Sequence, residues 1–176
     1  MMYQSVKDLV QTAETQRKPL SELVIEAECH ESGLKREEVW QRMRANLLTM
    51  RAAIKQGENE LGVRSKTGLT GGEAIKLKKY RAKGKTLSGD VMMAAVENAI
   101  ATNEVNAAMG VICATPTAGS SGTLPGALFM LEQRLGLSED QMIRFLFTAG
   151  GLGLIIANHA GIAGATGGCQ EEVGSA

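Results

Sequence analysis

The chain has 176 residues, enough for one ordinary domain with a core, or one domain with a small helical appendage. Hydrophobic residues make up 44% and charged residues 22%, as in a soluble globular protein, and a formal net charge of zero gives no global attraction for nucleic acid or an anionic membrane. Aromatic residues are only 3%, so the core must be built from Ala, Leu, Ile, Val and Met, a composition suited to closely packed helices.

Three helices are predicted to open the chain. Ser5 can cap the first, with Val6, Leu9, Val10 and Ala13 on one face. Pro19 suits the first turn of a second, striped by Leu20, Leu23, Val24 and Ala27 and stopped by Gly33. The third runs from about Lys35 to Gln56, with Val39, Trp40, Met43, Leu47, Met50 and Ile54 recurring every three or four residues. Residues 1–57 thus read as a helical arm. Residues 58–72 lose the periodicity and read as a linker or loop.

Residues 73–176 read as a compact helical domain rich in Ala and Gly. A basic helix is predicted from Glu73 to Ala82, and another after a Ser88 cap, carrying Val91, Ala95, Val96, Ala99 and Ile100. Gly122–Leu135 forms the next, stopped by Gly136, and Ser138 with Gln141 makes a capping box for the last. That helix is expected to bury Met142, Phe145, Leu146, Ala149, Leu152 and Ile156. No strand alternation is sustained anywhere, so the predicted fold is all-α.

Charge is unevenly spread. Of 19 Lys and Arg residues, 17 precede position 90, whereas 13 of 21 glycines follow it. The apolar second half is therefore expected to be buried, within the chain or against a partner. From Phe145 to Gln170 no residue is formally charged, a length that could span a bilayer. Its glycines, Asn158 and His159 favour a buried helix followed by a loop, and no membrane contact is expected. Met1–Val10 contains Lys7 and Asp8 and no apolar run, so no secretion signal is expected there. Cys29, Cys113 and Cys169 are widely spaced, which favours reduced thiols in a cytoplasmic protein.

Two segments could carry chemistry. Thr115-Pro116-Thr117-Ala118-Gly119-Ser120-Ser121-Gly122 places hydroxyls and backbone N–H groups just before a helix, a nest suited to a carboxylate or phosphate. The residues alone leave open a second reading, in which Ser121 is an N-cap and the glycines are turn residues. In Gly161-Ile162-Ala163-Gly164-Ala165-Thr166-Gly167-Gly168-Cys169-Gln170-Glu171-Glu172 a cysteine follows a glycine run at an expected helix start, where the thiolate is favoured, although an inert packed cysteine has the same signature. His159 and His30 read as a backbone-bonded and a surface histidine. Arg64–Lys85 holds eight basic residues but one aromatic, Tyr80, so a solvated face or steering of an anionic substrate is expected, without nucleic-acid binding.

Gly68-Leu69-Thr70-Gly71-Gly72, Lys85-Thr86-Leu87-Ser88-Gly89-Asp90, Ala114–Gly122 and Gly167-Gly168-Cys169-Gln170-Glu171-Glu172-Val173-Gly174-Ser175-Ala176 resemble, in order and spacing, the alpha chain of the iron–sulfur-dependent bacterial L-serine dehydratases. The resemblance implies deamination of L-serine to pyruvate and ammonia, a four-iron–four-sulfur cluster without pyridoxal phosphate, and a cytoplasmic enzyme completed by a beta chain, forming an oligomer. It implies that Cys169 is the first of three cluster ligands, and that the chain stops shortly after it. A fragment of this extent is then expected to be inactive by itself. Candidate substrate contacts are Thr117, Gly119, Ser120, Ser121, Gly122 and, from the family's Asn-Ala-Ser segment, Asn158; the catalytic base is not indicated. A cysteine desulfidase-like lyase of related fold, or an inactive helical module that only packs on a beta chain, are the alternatives.

Overall fold

A computed structural model describes residues 3–176. The described residues form α1 (Val6–Gln16), α2 (Leu20–Ser32), α3 (Arg36–Gly57), α4 (Glu73–Arg81), α5 (Gly89–Ala107), α6 (Thr123–Leu135), α7 (Glu139–His159), α8 (Gly164–Gly167) and α9 (Cys169–Ser175). Among them the only extended pairing is an isolated antiparallel bridge between Arg64 and Gly71. The fold is all-α, as the periodicity predicts.

Local chemistry sets several helix ends. The Ser5 hydroxyl accepts from the Asp8 N–H at 3.1 Å, and Gly33 ends α2 at a φ of 69°. Ser138 and Gln141 form the complete capping box, with bonds of 3.3 and 2.8 Å. Ser88 differs from expectation: its backbone is already helical and its side chain makes no capping bond, so α5 simply starts at Gly89.

The chain divides into two compact units, and the division runs through α3. The first unit takes the chain up to Leu47 together with Ser138–Gly161, and so holds α1, α2, the first half of α3, and α7. Leu9, Leu23 and Ile155 form a buried cluster, flanked by Tyr3, Ala13, Leu20 and Leu152. Trp40 stacks at a tilt on Phe147, with ring centroids 6.1 Å apart. On α7, Gly151 allows close approach to Val24, whose Cγ atoms stand where a Cβ would project. The buried face of α7 consists of Met142, Ile143, Leu146, Phe147, Gly151 and Ile155. Met142 and Leu146 were expected, but the face is rotated, leaving Ile156 exposed. A helix apolar nearly all round does not reveal by periodicity which side its neighbours take.

The second unit comprises Leu48–Leu137 and Ile162–Gly174. Here α5 is the central element, packed against both α4 and α6. Its buried residues are Ala94, Glu97, Asn98, Ala101, Thr102, Glu104 and Val105, whereas the predicted stripe residues Val91 and Val96 are exposed. Two of the inward polar groups, Glu97 and Glu104, serve α4. The buried Glu97 carboxylate accepts from Arg81 Nε at 2.6 Å near the end of α4. Glu104 accepts from the backbone N–H groups of Glu73 and of Ala74, the latter at 3.1 Å, and so supplies the start of α4 with the cap its own sequence lacks. Burial pushes the Glu104 carboxyl above the usual carboxylate range. On the other side, Gly122 and Gly126 bring α6 onto α5: a Cβ at Gly126 would lie 2.7 Å from the Ala95 carbonyl oxygen, and one at Gly122 would strike the Ala99 carbonyl.

Candidate functional site

The Thr115–Gly122 turn and the Gly164–Glu172 segment both belong to the second unit. The turn is held from within. Ser120 Oγ donates to the Thr115 carbonyl at 2.8 Å and lies 3.2 Å from Thr117 Oγ1, and Asn106 Nδ2 reaches from α5 to the Ala118 carbonyl at 2.9 Å. The Thr115–Pro116 peptide is cis.

This construction divides the candidate residues. Ser120 is 1% exposed, Ser121 is 0% exposed, and Gly122 is buried as the N-cap of α6. These three support the turn from beneath. Thr117 is half-buried, and Ala118 and Gly119 are exposed, so the surface available to a ligand is the Thr117–Gly119 stretch. Ser121 is not the expected cap: its buried Oγ has no hydrogen-bond partner. Asn158 lies in the first unit, exposed near the end of α7. Beside it, His159 Nδ1 stands 2.9 Å from the Ile155 carbonyl, the local backbone contact expected of it.

Cys169 is the first residue of α9 and is exposed. Cys113 is half-buried, and burial pushes its thiol above the ordinary range, against the thiolate form that binds metal. Cys29 is half-buried in the first unit. Among the described residues no three His, Cys, Asp or Glu side chains gather as a metal site. One accessible sulfur suits one position of a cluster; these residues do not make a complete set.

The sequence reading places Glu172 in the Cys169 segment without a role of its own. Its carboxylate lies against the Gly119 backbone, where a Cβ would collide with it, and a Cβ on Gly164 would lie 2.5–2.8 Å from the same carboxylate atoms. The only sequence signal was its position three residues after Cys169, one turn along the same helix.

Two cavities lie elsewhere. One of about 260 Å³ in the second unit is lined by Arg51, Lys55, Lys78, Asn98 and Phe129 among others, and one of about 420 Å³ in the first by Val24, Val39, Phe147 and Leu154 among others. Neither is lined by a candidate residue named from the sequence. In the smaller one, Glu132 binds both Arg51 nitrogens at 2.7 and 3.0 Å, and Arg51 also covers the Phe129 ring.

An all-α chain with a small-residue turn and a cysteine opening a short helix after a glycine run is the class these features define. The chain belongs to the serine dehydratase alpha chain family, which it matches over residues 15–176. It is 50% identical over 175 residues to a probable L-serine dehydratase alpha chain of Bacillus subtilis (strain 168), covering 99% of this chain and 58% of that protein. It is 31% identical over 175 residues to the L-serine dehydratase alpha chain of Peptoniphilus asaccharolyticus, covering 99% of this chain and 60% of the relative. With L-serine dehydratase 1 of Escherichia coli (strain K12) it shares 34% identity over 142 residues, 78% of this chain and 30% of that protein. The chain thus spans at most about three-fifths of the length of these relatives. No solved structure gives a significant match.

Proposed function

We propose that this chain is part of the alpha chain of an L-serine dehydratase, which deaminates L-serine to pyruvate and ammonia in the cytoplasm, in an oligomeric assembly with a beta chain. The 50% identity to the Bacillus subtilis relative across 99% of this chain is the observation that carries the reading. α7 is long and apolar enough to cross a membrane by length and composition. Its packing on α2 and the acidic Glu139 and Asp140 of its first turn support a role as a packing helix instead.

Cys169 is assigned as one thiolate ligand of a four-iron–four-sulfur cluster, with the remaining ligands supplied from outside this chain. When bound, such a cluster offers a Lewis-acidic iron to the serine hydroxyl, a poor leaving group by itself, and pyridoxal phosphate has no role. This chain's own contribution is to bind and orient. The exposed Thr117–Gly119 backbone receives the substrate carboxylate, and Ser120, Ser121 and Gly122 hold that backbone in shape. Fixing the carboxylate restricts where the hydroxyl of so small a molecule can lie, which is how positioning lowers a barrier.

The test is an anaerobic reconstitution of the complete alpha chain with its beta chain. Serine-dependent pyruvate release and stoichiometric iron and sulfide are expected, and Cys169→Ala should abolish both. The 176-residue chain alone should show neither. Turnover of cysteine in place of serine, or turnover by the short chain alone, would overturn the assignment.

A further inference from the structure

Helix α9 is oriented against its own hydrophobicity. Cys169, Gln170 and Val173 are exposed, Val173 by 52%, while the charged Glu171, over Gly167, and Glu172 are both half-buried. A short exposed helix packed by the hydrophobic effect alone would turn its valine inward and leave its glutamates in water. The reverse arrangement has a local cause. The Glu172 carboxylate occupies the space above two backbones at once, Gly119 of the small-residue turn and Gly164 at the start of α8. At both positions a side chain as small as a methyl would displace it, so the two glycines and the glutamate form one fitted contact.

We propose that Glu172 is a positioning residue whose carboxylate, seated against Gly119 and Gly164, ties the Cys169-bearing helix to the Thr117–Gly119 surface. The consequence for catalysis rests on the serine dehydratase reading; the contact itself does not. A carboxylate has two acceptor oxygens, so one side chain can face both backbones at once. Cys169 and Glu172 are one turn apart on α9, so a Glu172 side chain held in place limits where the Cys169 end of the helix can lie. The glutamate thereby sets the spacing between the surface that receives a substrate carboxylate and the sulfur assigned to the cluster.

Two measurements on the complete alpha chain assembled with its beta chain test this. Amide hydrogen exchange across 115–119 and 163–168 should accelerate at least tenfold in Glu172→Ala, with the remaining helices unaltered. Glu172→Gln, which keeps one acceptor and the shape, should recover most of the protection, and Glu171→Ala should leave the 115–119 segment unaltered. Gly119→Ala should reproduce the Glu172→Ala pattern, and combining the two should add little, because both remove the same contact. In steady-state kinetics, Glu172→Ala should raise the KM for serine about tenfold, with a smaller change in kcat. Unaltered exchange in either segment, or additive effects of the two substitutions, would overturn the contact. Altered exchange with unaltered KM would overturn its role in the site. If the wild-type assembly lacks serine turnover, the functional reading fails, and the exchange data still decide the contact.

Discussion

The two units are both helical, yet they deal with charge in opposite ways. In the first, charged groups stay at the surface and bridge helices from outside. Glu22 on α2 accepts from Arg36 on α3 and from Arg144 on α7, the latter at 3.2 Å, and Arg44 meets Glu139 at 2.7 Å. In the second, two carboxylates of α5 are taken inside. Glu97 and Glu104 are only 1% and 5% exposed, and they hold the end and the start of α4, a helix rich in Lys and Arg. A surface bridge can be lost with little consequence, because water replaces the partner. A buried carboxylate cannot, because nothing replaces it.

The sharpest way to break this contrast is Arg81→Ala, which leaves the Glu97 carboxylate buried without its cation. A loss of about 3 kcal/mol is expected in urea denaturation followed by circular dichroism. Glu97→Gln with Arg81 intact should cost less, and a larger loss from it would show that the charge, not the packing, dominates.

Gly122→Ala comes next, since the added methyl meets the Ala99 carbonyl and α6 must move off α5. About 2 kcal/mol is expected from overpacking against backbone, whereas Gly150→Ala in the first unit, where a Cβ meets nothing within 4 Å, should be neutral or stabilising.

pH separates the units further. Burial raises the Glu104 carboxyl, so the folded state holds its proton to higher pH than the unfolded chain does. Its contribution to stability therefore declines as pH rises from the ordinary carboxylate range through the raised value. Glu104→Gln should flatten that decline. Glu22 behaves inversely: its hydrogen bond to Arg36, then that to Arg144, holds its carboxyl below the usual range, so its contribution is full at neutral pH and is lost as pH falls through the depressed value. Trp40, the single tryptophan, lies in the first unit and reports this acid loss by fluorescence. Glu22→Gln should remove the acid dependence of that signal at a cost on the order of 1 kcal/mol near neutrality.

The smallest effect belongs to the exposed Lys18–Glu26 pair. At 2.6 Å it is short, but its side chains are 37% and 44% exposed, and Lys18→Ala should change stability by less than about 0.5 kcal/mol. A loss several times larger would erase the distinction between the units.

What could be read in the sequence follows from the range of the interactions concerned. The all-α fold, the Ser5 and Ser138 caps, the Gly33 stop and the inward stripe of Val39, Leu47, Met50 and Ile54 depend on residues within about one turn of each other, and each was legible from spacing. So were the small-residue turn and the Cys169 segment, because small residues and cysteine are informative by type. The orientation of α5 was not legible. Its apolar residues suggest one face, but Glu97 and Glu104 are drawn in by partners 16 and 30 positions away. Nor was the division of the turn into an open Thr117–Gly119 surface and a buried Ser120–Gly122 support, which depends on Asn106 and on the backbone of α5. Glu172 shows the same limit at its clearest: in the sequence it is one of two adjacent glutamates, and only the approach of Gly119, 53 positions earlier, sets it apart. Helix formation and capping are local and so are determined by the sequence as it stands, whereas which polar group is withdrawn from water is decided by the tertiary neighbours that satisfy it.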